Sequence, residues 1–229
     1  FEMDGTPITS YGNPQQDGPA LTALALMEIA TVLPESAQAA NPFLNYLCTS
    51  QANEPGFDPW EFSAGQIFFG KNLARRALRK ARASGAFSEN ADQFQERESE
   101  LESELEYFWD DQLGHLVSGR DLMIQEMGYV SNLDIGVVGS SLLAFDVEDD
   151  FMNVDDERLL ATMQKIESEF VEKWPINVSW RDAGRVGFGI CRFPEDMNDG
   201  IYSSGGNPWT FATLWAAQYY LALAKRLEH

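Results

Sequence analysis

The chain has 229 residues, 44% of them hydrophobic, and carries 36 Asp and Glu against 16 Lys and Arg, a formal charge of -20. A chain this apolar buries enough surface to offset its ordering entropy, which excludes disorder. The charge excludes nucleic acid, whose counterions only a basic surface displaces, and weighs against anionic lipid, while no apolar run reaches the ~18 residues of a membrane span.

Phe1 opens a polar stretch without initiator Met or signal peptide, as at a processing boundary. Gly5, Pro7, Gly12 and Pro14 make it an extended loop to Asp17. Asp17-Gly18-Pro19 is a helix opening, a capping Asp followed by a Pro suited to the first turn, and the apolar run from Leu21 predicts a helix to about Leu33. A shorter helix is expected over Pro42 to Gln51. A long one follows over Ser63 to Ala83, with Phe68, Leu73 and Leu78 apolar and Arg75, Arg76, Arg79, Lys80 and Arg82 crowding its negative end. From Ser88 to about Asp110, eight acidic positions including Glu98, Glu102 and Glu104 face a lone Arg97, the pattern of a solvated helix face, with Phe94, Leu101, Leu105 and Phe108 as the buried stripe.

After a Gly-punctuated stretch, helices are predicted over Ile135 to Phe145, Asp155 to about Trp174, and Asn207-Pro208 to Leu227, with a short strand at Arg185 to Phe193. The sum is about seven helices and almost no strand, an all-α chain. The acidic patch Asp146 to Glu157 lacks the turn Gly and the spacing of a calcium loop. His115, placed in a loop, and His229 are isolated, so neither a zinc site nor a Ser/His triad has raw material. Cys48 and Cys191 allow one bridge but no disulfide framework.

Three loops between the apolar helices are rich in Trp, Gly, Pro and acidic residues: Tyr11 to Pro19, Gly56 to Glu61, and Cys191 to Asp196 running on to Gly205 to Trp209. Aromatic faces stack on sugar rings while carboxylates and Arg bond their hydroxyls, so this composition suits a carbohydrate cleft. The plainer reading makes Trp60 and Trp209 core anchors at helix entries, with Pro and Gly shaping turns.

These loops resemble glucoamylase, the family 15 glycoside hydrolases that release glucose from starch-like glucans. Tyr11 to Leu21 is similar to the family's Trp-Gly-Arg-Pro-Gln-x-Asp-Gly-Pro-Ala-Leu, and Asp58-Pro59-Trp60-Glu61 to its Asp-Leu-Trp-Glu-Glu. Arg192 to Asp196 with Gly206 to Trp209 is similar to its Arg-Tyr-Pro-Glu-Asp and Gly-Asn-Pro-Trp. The motifs fall in the family's order and span residues 1–229. The resemblance implies an (α/α)6 helical barrel of which this chain is about half, the central part of one catalytic domain.

It implies Glu61 as the catalytic acid. A general acid must hold its proton at working pH, which burial beside an aromatic such as Trp60 favours. Asp58 matches a carboxylate near the acid, Arg192 and Asp196 match residues holding the hydroxyls of the terminal glucose, Trp209 an aromatic of the substrate site, and Tyr11 a Trp packed near the acid. Asn13 stands where the family has Arg, and Phe62 where it has a second Glu, which removes charge from the rim. An inverting mechanism needs a second carboxylate roughly 6.5 to 9.5 Å from the acid, and the family's base lies beyond residue 229. Glu195 or Asp196 is the in-chain alternative. The implied partners are a starch, maltooligosaccharide or glycogen-like glucan and a second polypeptide segment, or self-association, that completes the barrel and covers its apolar faces. No metal or organic cofactor is implied. A non-catalytic carbohydrate-binding or scaffold role is the alternative function. Secretion is implied by the family, and the sequon Asn177-Val178-Ser179 is compatible with glycosylation.

Overall fold

The computed structural model describes residues 15–125, 132–143, 145–198 and 206–228. Tyr11 and Asn13 lie outside the described residues. The described residues group into two units, 15–107 with 119–125, and 108–118 with 132–143, 145–198 and 206–228.

In the first unit, four helices surround a small sheet. Helix α1 is Asp17–Ile29, α2 Ser36–Leu47, α3 Phe68–Ser84 and α4 Ala91–Glu106. Ala20, Ala23, Leu24 and Met27 of α1 and Leu73, Ala77, Leu78 and Ala81 of α3 are buried, and the small Ala positions let α1, α2 and α3 approach closely. α3 ends at Gly85, whose φ of 68° provides the left-handed turn that terminates many helices. α2 starts six residues before the predicted Pro42 and holds that Pro in its interior. The chain then forms a 3-10 turn at Ser50–Asn53 where helix was expected.

Ser63 to Ile67 is strand, not the start of α3. Strands β1 (Gly56–Phe57) and β2 (Ser63–Ile67) pair antiparallel, and β2 pairs antiparallel with β5 (Gly119–Gln125). At the bulge between Ala64 and Gln66, a Cβ on Gly65 would stand 2.7 Å from the Arg120 carbonyl. Only glycine allows that approach.

The acidic run of α4 is a second departure from expectation. Glu98 is 4% exposed, accepts from Arg82 at 2.8 Å, and lies 3.7 Å from Arg75, which pairs with Glu102 at 2.8 Å. Lys71 and Arg97 both pair with Glu104, and Arg97 also reaches Glu100 at 2.8 Å. The carboxylates on the α3 side therefore zip α4 to the cationic face of α3, while Glu89, Asp92 and Glu96 of the same run are exposed.

In the second unit, hairpin strands β3 (Trp109–Asp110) and β4 (His115–Leu116) precede α5 (Ile135–Leu142), α6 (Glu157–Phe170), α7 (Pro175–Asp182) and α8 (Thr210–Glu228). His115, expected in a loop, is buried in β4. Asp134 caps α5 through the Gly136 N–H at 2.5 Å and Asp156 caps α6 through the Arg158 N–H at 2.9 Å. Gly139 of α5 admits the Trp215 ring of α8, which would stand 2.5 Å from an added Cβ. α6 ends in a Phe170–Trp174 ring stack, centroids 5.3 Å apart, before Pro175 opens α7, a helix not anticipated from the sequence. The acidic patch ties α8 down: Arg226 bonds Asp150 at 2.7 Å and Asp155 at 3.0 Å.

Arg185 to Phe193 forms no strand. Positive φ values at Gly184 and Gly187 break the extended path. Its partners are side chains and single backbone groups: Asn177 grips Gly189, Thr213 accepts from the Ile190 N–H at 3.0 Å, and Ile190 O accepts from the Trp209 N–H at 2.9 Å.

Candidate active site

Glu61 sits in a tight turn between β1 and β2, built by Asp58. One Asp58 oxygen accepts the backbone N–H of Trp60 at 2.8 Å and of Phe62 at 3.1 Å, and the other accepts that of Ser63 at 2.8 Å. The Asp58 backbone N–H donates to Ser63 O at 2.8 Å and the Glu61 N–H donates to Asp58 O at 3.0 Å. The loop thus folds around one carboxylate, 2% exposed. Burial pushes the Asp58 carboxyl above its usual 3.8, against the backbone donors that pull it down.

This turn places Glu61 at φ 65°, a left-handed conformation uncommon outside Gly, Asn and Asp. Backbone strain of that kind recurs where a side chain must be aimed. Glu61 is half-buried and its Oε1 accepts the Gln15 side-chain amide at 2.7 Å. Asp17, in the first turn of α1, feels the Glu61 charge. Its carboxyl is raised above 3.8, chiefly by burial, with its own and the Gly18 backbone N–H lowering it and Glu61 adding a smaller upward push.

The other charged group lies in the second unit. Arg192 and Asp196, 6% and 2% exposed, form a two-pronged pair, Nε to Oδ2 at 2.6 Å and Nη2 to Oδ1 at 2.8 Å. Asp196 Oδ1 also accepts the Asn198 N–H at 2.9 Å, and Oδ2 the Cys191 thiol at 3.2 Å. Burial alone would raise the Asp196 carboxyl, but Arg192, the Asn198 N–H and Cys191 together hold it below its ordinary value. The same burial, with the neighbouring Asp196 charge, pushes the Cys191 thiol up. Cys191 and Cys48 are both free thiols.

The Arg192 guanidinium lies 4.4 Å from the centroid of the half-buried Trp209 ring, which meets Phe211 edge to face. The Gly206 to Trp209 strip is laid against this turn, because Gly206 has φ 88° and its α-carbon faces the Asp196 carbonyl with no room for a side chain. Glu61, Asp58 and Trp60 are therefore held in one turn of the first unit, and Arg192, Asp196 and Trp209 in one cluster of the second. Among the described residues no group of three or more His, Cys, Asp or Glu is placed to hold a metal ion.

The sequence does not single out Gln15, and it marks Asp17 only as a helix cap, whereas Asp17 is the first residue of α1 and, among the described residues, no side chain caps that helix. An amide or carboxylate inside a loop motif gives no sign of which side chain it meets across 46 residues. Gln15 falls at the Gln of the resembled motif, which is the signal in the sequence that could have found it.

The family model of glycosyl hydrolases family 15 matches residues 1–229. The chain belongs to that family. It is 27% identical to the glucoamylase of Blastobotrys adeninivorans over 100% of its own length and 40% of the relative's. It is 29% identical to glucoamylase GLU1 of Saccharomycopsis fibuligera, over 98% of this chain and 48% of that protein. A solved glucoamylase from Saccharomycopsis fibuligera aligns with a TM-score of 0.77 at 25% identity, over 95% of this chain and 49% of that one. The family 15 glucoamylase from Hypocrea jecorina aligns at 0.78 over 95% and 37%. These enzymes have the (α/α)6 barrel, so the helices described above are part of that fold, and the chain spans less than half the length of these relatives.

Proposed function

We propose that the chain is the central part of a glucoamylase-type, inverting, exo-acting α-glucosidase, with Glu61 protonating the glycosidic oxygen of a starch- or maltooligosaccharide-like glucan. The observation that carries this reading is the family match over residues 1–229, with Glu61 at the motif position of the acid and aimed by a turn that the Asp58 carboxylate organises. The Asp58 carboxylate bonds the backbone N–H groups of its own loop, so its proposed role is to shape the loop that presents Glu61. In the second cluster, Asp196 fixes the Arg192 guanidinium edge-on and Trp209 flanks it, an arrangement suited to holding sugar hydroxyls beside an aromatic face. With its oxygens bound to Arg192, Cys191 and Asn198, Asp196 is a poor base.

The water-activating base is proposed to come from the half of the domain this chain does not span. Exposed apolar positions on α8, Leu214, Leu221 and Leu227 at 55%, 72% and 73%, fit a face that further helices of the same domain cover. No helix among the described residues is long and apolar enough to cross a membrane. Export from the cell rests on the resemblance alone, since one relative from Saccharomyces cerevisiae is an intracellular sporulation-specific glucoamylase.

The test is glucose release from maltose and soluble starch. Glu61→Gln lowers the rate by about 10²- to 10⁴-fold, and the glucose first released from the α-linked substrate is the β-anomer. Wild-type protein that binds maltooligosaccharides but releases no glucose would establish the non-catalytic carbohydrate-binding role instead, and equal rates for wild type and Glu61→Gln would remove Glu61 from the mechanism.

A further inference from the structure

We propose that Gln15 is a positioning residue for the acid, a neutral amide clamp that occupies Glu61 Oε1 and so reserves Oε2 as the oxygen that carries and delivers the proton. The inference rests on the reading of Glu61 as general acid and adds which oxygen acts and what holds it there.

The clamp is rigid at both ends. Gln15 pairs through its backbone with Phe57 in a parallel bridge, one residue before the Asp58 turn. The next residue, Gln16, donates to Gln51 O at 3.3 Å and Glu54 O at 3.4 Å and accepts from the Tyr46 hydroxyl at 3.1 Å. Gly70 of α3 brings that helix within 3.6 Å, measured from an ideal Cβ, of the Gln16 and Asp17 backbone. The segment carrying Gln15 is thus fixed by α2, the 3-10 turn, β1 and α3, while Glu61 is fixed by the Asp58 turn. The 2.7 Å bond closes the two.

The chemistry of the amide explains why this residue type serves. An ionised carboxylate only accepts, so the amide NH₂ must face it. When Glu61 is protonated on Oε2, Oε1 remains a carbonyl oxygen and keeps accepting from Gln15, so one geometry serves the acid before and after proton transfer. A cation at position 15 would bond as well but would favour the carboxylate and strip the acid of its proton. Among the described residues the charged side chains placed with Glu61 are acidic, Asp17 from α1 and Asp58 from its own turn.

The experiment follows the Glu61 side-chain carboxyl by ¹³C NMR in glutamate-labelled protein, the signal assigned by its loss in Glu61→Gln, alongside glucose release. In Gln15→Leu the rate falls about tenfold or more with KM within about twofold, and the alkaline limb of the rate profile moves to higher pH, because a donor to the carboxylate is gone. Gln15→Glu, which keeps the length and adds a like charge, moves that limb further up. An unmoved limb and an unchanged Glu61 carboxyl ¹³C shift in both variants would overturn the proposal, even if their melting temperatures fall, since a purely structural Gln15 changes stability alone. If the carboxyl ¹³C shift changes in Gln15→Leu but wild-type protein releases no glucose, the clamp stands and the glucosidase reading fails.

Discussion

Asn177→Ala removes one buried side chain that makes three hydrogen bonds, to Phe170 and twice to the half-buried Gly189. Its amide nitrogen donates to Phe170 O at 2.7 Å and Gly189 O at 3.0 Å, and its oxygen accepts the Gly189 N–H at 2.8 Å. Asn177 is 2% exposed, so water does not replace these partners. At roughly 1 to 1.5 kcal/mol per bond the loss is about 3 to 5 kcal/mol, a large fraction of the ~5 to 15 kcal/mol that holds a typical domain folded. The melting temperature falls by about 6 to 20 °C. Asn177→Asp gives a second reading of the same bonds. It keeps the acceptor for Gly189 but turns an oxygen toward two carbonyls, which favours the protonated acid and raises its folded pKa above the unfolded ~3.9. A raised folded pKa means the folded state binds the proton more tightly, so the deficit of this variant against wild type grows as pH rises above ~4. Urea unfolding of wild type and both variants between pH 4 and 7 measures it. A loss under about 1 kcal/mol for the Ala variant, or an Asp deficit that does not change with pH, would refute the reasoning. The same bonds take up the Asn177 amide to which a glycan at the sequon would attach, so a glycan and these bonds exclude each other. Protein from a glycosylating secretory host should show no glycan at Asn177 by peptide mass mapping.

Asp196→Asn keeps the shape but leaves the buried Arg192 charge without its counter-ion, at a cost of about 3 kcal/mol. Chemical unfolding should show it, and an unchanged midpoint would mean that the pair is not formed. Glu104 is held below its usual 4.5: burial opposes this, but the Lys71 and Arg97 bonds outweigh it. A lowered folded pKa contributes stability above ~4.5 that is lost as pH falls through the folded value, so the advantage of wild type over Glu104→Gln, about 1 kcal/mol after solvent screening, shrinks from pH 6 to pH 3. A constant difference would remove the ion pairs as its source.

The all-α class and most helices were legible because long periodic segments leave little choice. α4 and α6 follow their apolar stripes, Phe94, Leu101 and Leu105 in one, Leu159, Met163, Ile166 and Phe170 in the other. The misses have a common cause. Ser63 to Ile67 reads as helix by continuity with α3, but antiparallel pairing with β5, Ser63 opposite Gln125 and Ile67 opposite Gly119, decides it. Arg185 to Phe193 reads as strand by alternation, but its bonding partners turned out to be Asn177, Thr213 and Trp209, which no local pattern encodes. The acidic face of α4 reads as solvated because Lys71, Arg75 and Arg82, which meet it, lie on α3.

The candidate site was read from loop motifs rather than from periodicity. Asp58 and Gly206 occupy positions that backbone geometry restricts: a short acceptor that can gather three N–H groups, and a residue without a side chain at φ 88°. Glu61 and Arg192 depend on those two turns for their aim, so the turn residues and the functional residues stay together as short motifs, visible without any alignment. What a motif cannot show is the partner across space. Gln15 meets Glu61 only because β1 brings Phe57 beside it, and the charge of -20 looks uniform in sequence although ion pairs consume its interior share on α4. The carboxylates left for chemistry are those whose oxygens are not taken by backbone or cations. By that criterion Asp58 and Asp196 serve the proposed site as architecture, and Glu61, whose Oε1 meets the neutral Gln15 amide, is the carboxylate in these motifs suited to exchange a proton.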